Sequence, residues 1–187
     1  MTTAHVPVLE GERIRLRPHR EADRDPIFEL YSEPRVTRYW SYPSWTELAQ
    51  ADAYLAPVLP SAAVAGDAAT TYPWAIAERD SDRLIGTATI FALRRAQHLG
   101  DVGYSLMPAH QGRGLAREAL TLAIDYAFAV LAVRRLEADV DPRNTASWGL
   151  LERLGFRREG LLRERWLVND ELCDTAFYGL LRAEFRR

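Results

Sequence analysis

The chain has 187 residues, 48% hydrophobic and 27% charged, which suffices for one globular domain with a buried core and gives no sign of a linker or an internal repeat. A net charge of −2 leaves no global basic field for nucleic acid or an anionic membrane, and all 24 Lys/Arg positions are arginine, which we read as genomic base composition before any preference for planar anions. The one cysteine, Cys173, cannot form an internal disulfide and suits a reducing compartment.

The N-terminal twenty residues carry Glu10, Glu12, Arg13 and Arg15 in place of an apolar signal core. "RIRLRP" then alternates, with Ile14 and Leu16 on one face and Arg13, Arg15 and Arg17 on the other, which predicts a half-buried edge strand ended by Pro18. "EADRDPIFELYSE" predicts a short helix opened by Asp23 or Asp25, with Pro26 in its first turn. "SWTELAQADAYLAPV" predicts a second helix capped by Ser44, and Pro57 to Thr71 a flexible loop. "YPWAIAE" and "RLIGTATIFAL" read as strands flanking a turn at Asp80 to Asp82, with Trp74 in the core.

"DVGYSL" is the next strand and runs into Pro108. From Gly114 onward Leu115, Ala119, Leu120, Ala123, Ile124, Ala127 and Leu131 recur at helical spacing. The stretch "LTLAIDYAFAVLAV" within this region contains Asp125 and is shorter than the ~20 apolar residues a membrane span needs. "RLEADV" reads as a strand, and "NTASWGLLERLGF" as a helix burying Leu150, Leu151 and Leu154 and stopped by Gly155. "RREGLLRERWLV" and "ELCDTAFYGLL" close the chain as a hairpin turning at Asn169-Asp170, with Cys173 a small buried hydrophobe. The order β-α-α-β-β-β-α-β-α-β-β implies an α/β mixed sheet with helices on its faces, in a single domain over residues 1–187.

Between a strand and a helix lies "HQGRGLAREAL". A helix N-terminus offers unpaired N–H groups and a positive dipole end, and Gly112 and Gly114 let a large anion reach them, with Arg113 and Arg117 adding charge. A plain tight turn and cap fits the spacing equally well. The stretch is not a P-loop, since Leu115 and Ala116 stand where Lys and Ser/Thr are required, and its spacing differs from the dinucleotide fingerprint. His5, His19, His98 and His110 show no metal-ligand spacing, and no metal is expected.

Gln111-Gly112-Arg113-Gly114-Leu115-Ala116 resembles the Gln/Arg-x-x-Gly-x-Gly/Ala pattern of the GCN5-related N-acetyltransferase (GNAT) family. "LEGERIRLRPHREAD", "RLIGTATI", "VGYSLMPAHQGRGLAREAL", "NTASWGLLERLGFRREG" and "YGLLRAE" follow in family order and look like the RimJ/RimL branch, which acetylates protein N-terminal amines and, in relatives, small amines. The resemblance implies a sheet splayed between two central parallel strands, with acetyl-CoA in the opening. Its pantetheine would pair with the edge from Tyr104 through Ser105 and Leu106 to Met107. Its pyrophosphate would sit on Gln111, Gly112, Arg113, Gly114, Leu115, Ala116 and Arg117.

By the same resemblance Asn144 holds the pantetheine arm and Ser147 protonates the leaving sulfur, though Asn144 also reads as a helix N-cap and Ser147 as an ordinary first-turn residue. A backbone N–H near Leu106 or Met107 would face the oxyanion. Asp101, at the start of its strand, is the candidate base, and also reads as a plain turn residue. Tyr39, Trp40 and Trp166 are candidate walls for the acceptor. The partners implied are acetyl-CoA and an amine, from a peptide terminus or a small molecule, in the cytoplasm. A homodimer stays open, as does a non-catalytic acyl-CoA-binding module.

Overall fold

The computed structural model describes residues 6–59 and 69–187. Its strands are β1 (Leu9–Glu10), β2 (Ile14–Arg17), β3 (Tyr72–Glu78), β4 (Leu84–Arg94), β5 (Leu99–Leu106), β6 (Arg135–Val140), β7 (Arg157–Val168) and β8 (Glu171–Leu181). They form one sheet in the order β1-β2-β3-β4-β5-β6-β8-β7. Every neighbouring pair is antiparallel except β5 and β6, which run parallel. The helices are α1 (Arg24–Ser32), α2 (Pro34–Thr37), α3 (Ala49–Leu55), α4 (Leu115–Ala129) and α5 (Thr145–Arg153).

The period-2 alternation of the strands sorts the helices onto opposite faces. Trp74 and Ile76 on β3 and Ile85 on β4 join the core beneath α4 and α5. Their neighbours Ala75 and Leu84 join a second cluster with Ile27, Leu30 and Tyr31 of α1 and Ala51 and Leu55 of α3. β3 is therefore buried on both sides. Trp74 is fully buried, and its indole N–H donates to the Pro7 carbonyl at 2.8 Å, so it belongs to the core as expected. The long helix buries Leu115, Ala119, Leu120, Ala123, Ile124 and Ala127, but ends at Ala129, two residues short of Leu131.

Three sequence expectations change. β2 is an inner strand, paired with β1 as well as β3. Arg17 on it is buried, where the alternation placed it with the exposed arginines, because it donates through Nη1 and Nη2 to the two oxygens of Asp23 at 2.8 Å each. The second helix starts at Ala49 and is not capped by Ser44. Ser44 instead shares a hydroxyl hydrogen bond with Thr37 at 2.6 Å, and Gln50 Oε1 accepts from the N–H groups of Thr46 and Glu47. The short α2 went unread, although Pro34 at its start and the Glu33 carboxylate accepting from the Arg35 N–H give it an ordinary beginning. The loop expected over residues 57–71 lies outside the described residues from 60 to 68.

The closing hairpin turns where expected, with Asn169 and Asp170 both left-handed at φ 49° and 63°. β7 pairs only with β8, and its outer edge and nearly all its side chains face solvent.

Burial works against the charge on Asp23, but the hydrogen bonds and charge of Arg17, with His19 and the Arg20 N–H, together outweigh it and hold its pKa well below the ordinary aspartate value. Asp23→Asn leaves a buried guanidinium short of its counter-charge, and should lower the unfolding free energy by about 3 kcal/mol in urea titrations near neutrality. A depressed folded pKa adds stability above the unfolded value and loses it as pH falls. The gap between wild type and Asp23→Asn should therefore hold steady above about pH 5 and narrow as pH drops through about 3.9. A pH-independent gap would remove this ion pair from the fold's support.

Candidate active site

The parallel ladder between β5 and β6 is short: Leu99↔Arg135, Gly100↔Leu136 and Asp101↔Glu137. Beyond it β5 continues to Leu106 and β6 to Val140, each still paired on its far side with β4 or β8. The two strands thus part in the middle of the sheet. A cavity of about 660 Å³ occupies the opening and passes from one face of the sheet to the other.

Antiparallel residues turn their peptide groups alternately to one neighbour and away from it. Met107 N–H donates to the Ile85 carbonyl at 2.8 Å, so Met107 and Ser105 turn toward β4, and Leu106 and Tyr104 turn toward the opening. Of the expected edge from Tyr104 to Met107, the backbone of Tyr104 and the N–H of Leu106 are turned to meet a ligand there, while the Leu106 carbonyl already accepts from Gln111 Nε2. The Met107 donor is engaged within the sheet.

On the α1–α3 side the cavity is lined by Asp101 and Gly103 of β5, Glu137 and Asp139 of β6, Thr87 and Thr89 of β4, and Cys173 and Thr175 of β8. Tyr39, Trp40 and Trp166 also line it, so all three expected walls meet here. Trp40 stands edge-on to Tyr31, with ring centroids 5.8 Å apart, and Arg38 and Arg143 lie over the ring of Tyr39. Cys173 is buried in this wall, its sulfur 3.3 Å from Arg143 Nη2.

Asp101 faces the cavity beside Glu137. One nitrogen of Arg94, Nη2, donates to both, at 2.9 Å to Asp101 Oδ1 and 2.8 Å to Glu137 Oε2. Burial pushes the Asp101 carboxyl above the ordinary aspartate value; Arg94 pulls it down, and the charges of Glu137 and Asp139 push it up. The sequence reading missed Glu137, Asp139, Arg94 and Arg143. "RLEADV" carried a signal for the first two, since Arg135, Glu137 and Asp139 put three charges on one face of a strand.

On the α4–α5 side the cavity meets Tyr104, Asn144, Ser147 and Leu151, with no charged group among these four. Asn144 is the N-cap of α5: its Oδ1 accepts from the Ser147 N–H at 3.2 Å, which fixes Ser147 in the first turn. The Tyr104 hydroxyl donates to Ser147 Oγ at 3.2 Å, a bond between β5 and α5.

The glycine turn stands apart from this cavity. Gly112 and Gly114 have φ of +72° and +78°, a left-handed conformation that other residues adopt at a cost. Nothing lies within 4 Å of the position a Cβ would take on Gly112. The first N–H to enter the α4 ladder is that of Glu118, donating to the Gly114 carbonyl. The N–H groups from Gly112 to Arg117 have no acceptor among the described residues, which makes them a ready anion cradle.

The neighbours of the turn hold its shape. Gln111 Nε2 donates to the Leu106 carbonyl at 2.8 Å, and Arg13 joins the Arg113 carbonyl to the Glu118 carboxylate. Arg117 reaches the Arg187 carbonyl and Arg113 is exposed. Leu115 is buried in the core and Ala116 packs against it, so each presents only backbone to a ligand. Among the described residues no group of three or more His, Cys, Asp and Glu could hold a metal ion, and no helix is long and apolar enough to cross a membrane.

A family model described as "Acetyltransferase (GNAT) domain" matches residues 13–157. The chain is 33% identical to the uncharacterized N-acetyltransferase p20 of Bacillus licheniformis over 96% of this chain and 99% of that one. It is 35% identical to the ribosomal protein uS5-alanine N-acetyltransferase of Escherichia coli over 54% of this chain and 53% of the other. The crystal structure of spermidine N-acetyltransferase from Vibrio cholerae in complex with CoA and spermine has the same fold, with a TM-score of 0.78 at 21% identity, covering 92% of this chain and 97% of that one.

Arg94 favours the ionised form of Asp101, so its removal should raise the Asp101 pKa further. Carboxyl-carbon NMR titration of wild type and Arg94→Met measures this directly. An unmoved or lowered Asp101 midpoint in Arg94→Met would contradict the pairing.

Proposed function

Because the chain belongs to the GNAT acetyltransferase family, we propose that it transfers the acetyl group of acetyl-CoA to a primary amine, in the first place the N-terminal amine of a protein. The observation that carries this reading is the run of unpaired N–H groups from Gly112 to Arg117 at the head of α4, beside the end of an unpaired strand edge. A pyrophosphate fits the cradle, and an amide-bearing arm can pair with Tyr104 and Leu106 on its way to the opening.

The chemistry then divides between the two faces of the sheet. The thioester enters from the α4–α5 side, past the Asn144 amide and the Ser147 hydroxyl. The amine enters from the α1–α3 side, past Trp40, Tyr39 and Trp166. Attack on the carbonyl needs a neutral amine, and Asp101, directly or through water, is placed to take its proton. The Leu106 N–H is the donor best turned toward the oxyanion. As the carbon–sulfur bond breaks, its electron pair goes to sulfur, which the Ser147 hydroxyl protonates. The thioester is already activated, so holding the two reactants together in the opening supplies a large part of the rate.

A second reading keeps the reaction and changes the acceptor to a small polycationic amine. Asp101, Glu137 and Asp139 on the acceptor side favour it, since clustered carboxylates hold ammonium groups. One domain, working in the cytoplasm as the single cysteine suggests, carries the activity in both readings; assembly as a homodimer is compatible with either.

The deciding assay is release of free CoA thiol from acetyl-CoA with a panel of N-terminal peptides and small polyamines. Turnover with peptides is expected; turnover with polyamines alone would select the second reading. No release above hydrolysis with any acceptor would leave a binding module. Gly114→Val adds a β-branched side chain to a left-handed position in the cradle, and should weaken acetyl-CoA binding at least tenfold, about 1.4 kcal/mol, by calorimetry. An unchanged Kd in the folded variant would remove the cradle reading.

A further inference from the structure

The proposed role of Ser147 leaves a chemical difficulty. An alcohol is a far weaker acid than a thiol, so a serine that gave its proton to a thiolate, with nothing behind it, would be left as a buried alkoxide. A phenol is different. Its ordinary pKa of about 10 lies within about two units of the alkyl thiol value of about 8.5, so giving a proton to a thiolate costs far less from a phenol than from an alcohol.

We propose that Tyr104 is the positioning residue behind Ser147, replacing through their shared hydrogen bond the proton that Ser147 delivers to the departing sulfur. The bond runs in the needed direction, from the Tyr104 hydroxyl to Ser147 Oγ. A serine hydroxyl has one proton and two lone pairs. With Tyr104 on one lone pair and the Asn144 cap fixing the backbone, the Ser147 proton is left for the ligand, since Ser147 Oγ donates to no group among the described residues. Both hydroxyls line the cavity on the side assigned to the thioester.

The step balances. The carbon–sulfur bond breaks and its electron pair goes to sulfur; the Ser147 proton bonds to sulfur and the Tyr104 proton bonds to Ser147 Oγ. The Tyr104 phenolate regains a proton from solvent as products leave, matching the one the amine lost. Burial raises the Tyr104 pKa and keeps the hydroxyl protonated until it is needed, while Ser147 and the charge of Arg153 act in the opposite sense and favour the phenolate. The Arg153 guanidinium has no hydrogen bond or ion pair among the described residues, so no carboxylate pairs with it directly.

This inference rests on the reading of Ser147 given above, and steady-state kinetics separate the two. Tyr104→Phe keeps the ring and removes only the hydroxyl. It should lower kcat by on the order of 10-fold to 100-fold, with KM for acetyl-CoA within about twofold and the thermal midpoint unchanged. The double variant with Ser147→Ala should turn over no more slowly than Ser147→Ala alone, because one path is cut in both. A wild-type kcat for Tyr104→Phe, or losses that multiply in the double variant, overturns the relay while leaving Ser147 in place. If Ser147→Ala itself keeps full kcat, both readings fall.

Should Tyr104→Phe lose its thermal transition, 3-fluorotyrosine at position 104 keeps the hydroxyl and makes it a stronger acid. It should change kcat in the Ser147 enzyme and leave it unchanged in Ser147→Ala; an equal response in both again overturns the relay.

Discussion

Between the Asp101↔Glu137 pair and the ends of β5 and β6, two parallel strands lie within one sheet without a ladder, each held on its far side by a neighbour. Backbone N–H and C=O groups in the middle of a protein almost always find partners, so an interior edge of this kind calls for one from outside. The last residues to pair are two carboxylates directly opposite each other, an arrangement that repels unless a cation intervenes. Arg94 supplies that cation from β4, bridging both. The ladder thus stops at a point where its own side chains oppose it; Arg94 bridges the two carboxylates there, and Arg135 adds a second hydrogen bond to Glu137.

The opening also divides the chemistry. On the α1–α3 face alternate strand residues and the segment after α2 bring carboxylates, threonines and aromatic rings together; on the α4–α5 face the Tyr104 hydroxyl of β5 meets the Ser147 hydroxyl and Asn144 amide at the start of α5. In the proposed reaction an ammonium group arriving to be deprotonated and an uncharged thioester would each meet the surface that suits it. They would meet each other only where the sheet is open. The division follows from strand alternation, because residues that differ by one position in β5 or β6 look into different chambers.

The glycine turn works by what it lacks. A run of N–H groups without acceptors tolerates exposure to water, but it has a fixed shape only because Gln111, Arg13 and Glu118 hold the surrounding carbonyls and carboxylates in place. Glu118 also accepts from the N–H groups of Arg13 and Ile14, so the turn is tied to β2, far away in sequence. The arginines closest in sequence contribute little shape: Arg113 is exposed, and Arg117 is turned to the C-terminal residue.

The sequence by itself determined the order of the elements from Tyr72 onward, the faces that α4 and α5 bury, the hairpin at Asn169-Asp170 and the glycine turn at the head of α4. These are consequences of local periodicity and of backbone conformations that few residues adopt. It also carried the family pattern, and with it the roles suggested for Asn144, Ser147 and Asp101. Long-range electrostatics and register lay outside its reach. Arg17 looked like an exposed strand arginine until Asp23 was seen to bury it, and Ser44 looked like a helix cap until Thr37 claimed its hydroxyl. Arg94 reaches Glu137 across 43 residues of chain, and Tyr104 meets Ser147 across the same separation. Only the tertiary structure decided these, because a polar side chain takes whichever partner the fold places within about 3 Å, and local spacing holds no record of that partner.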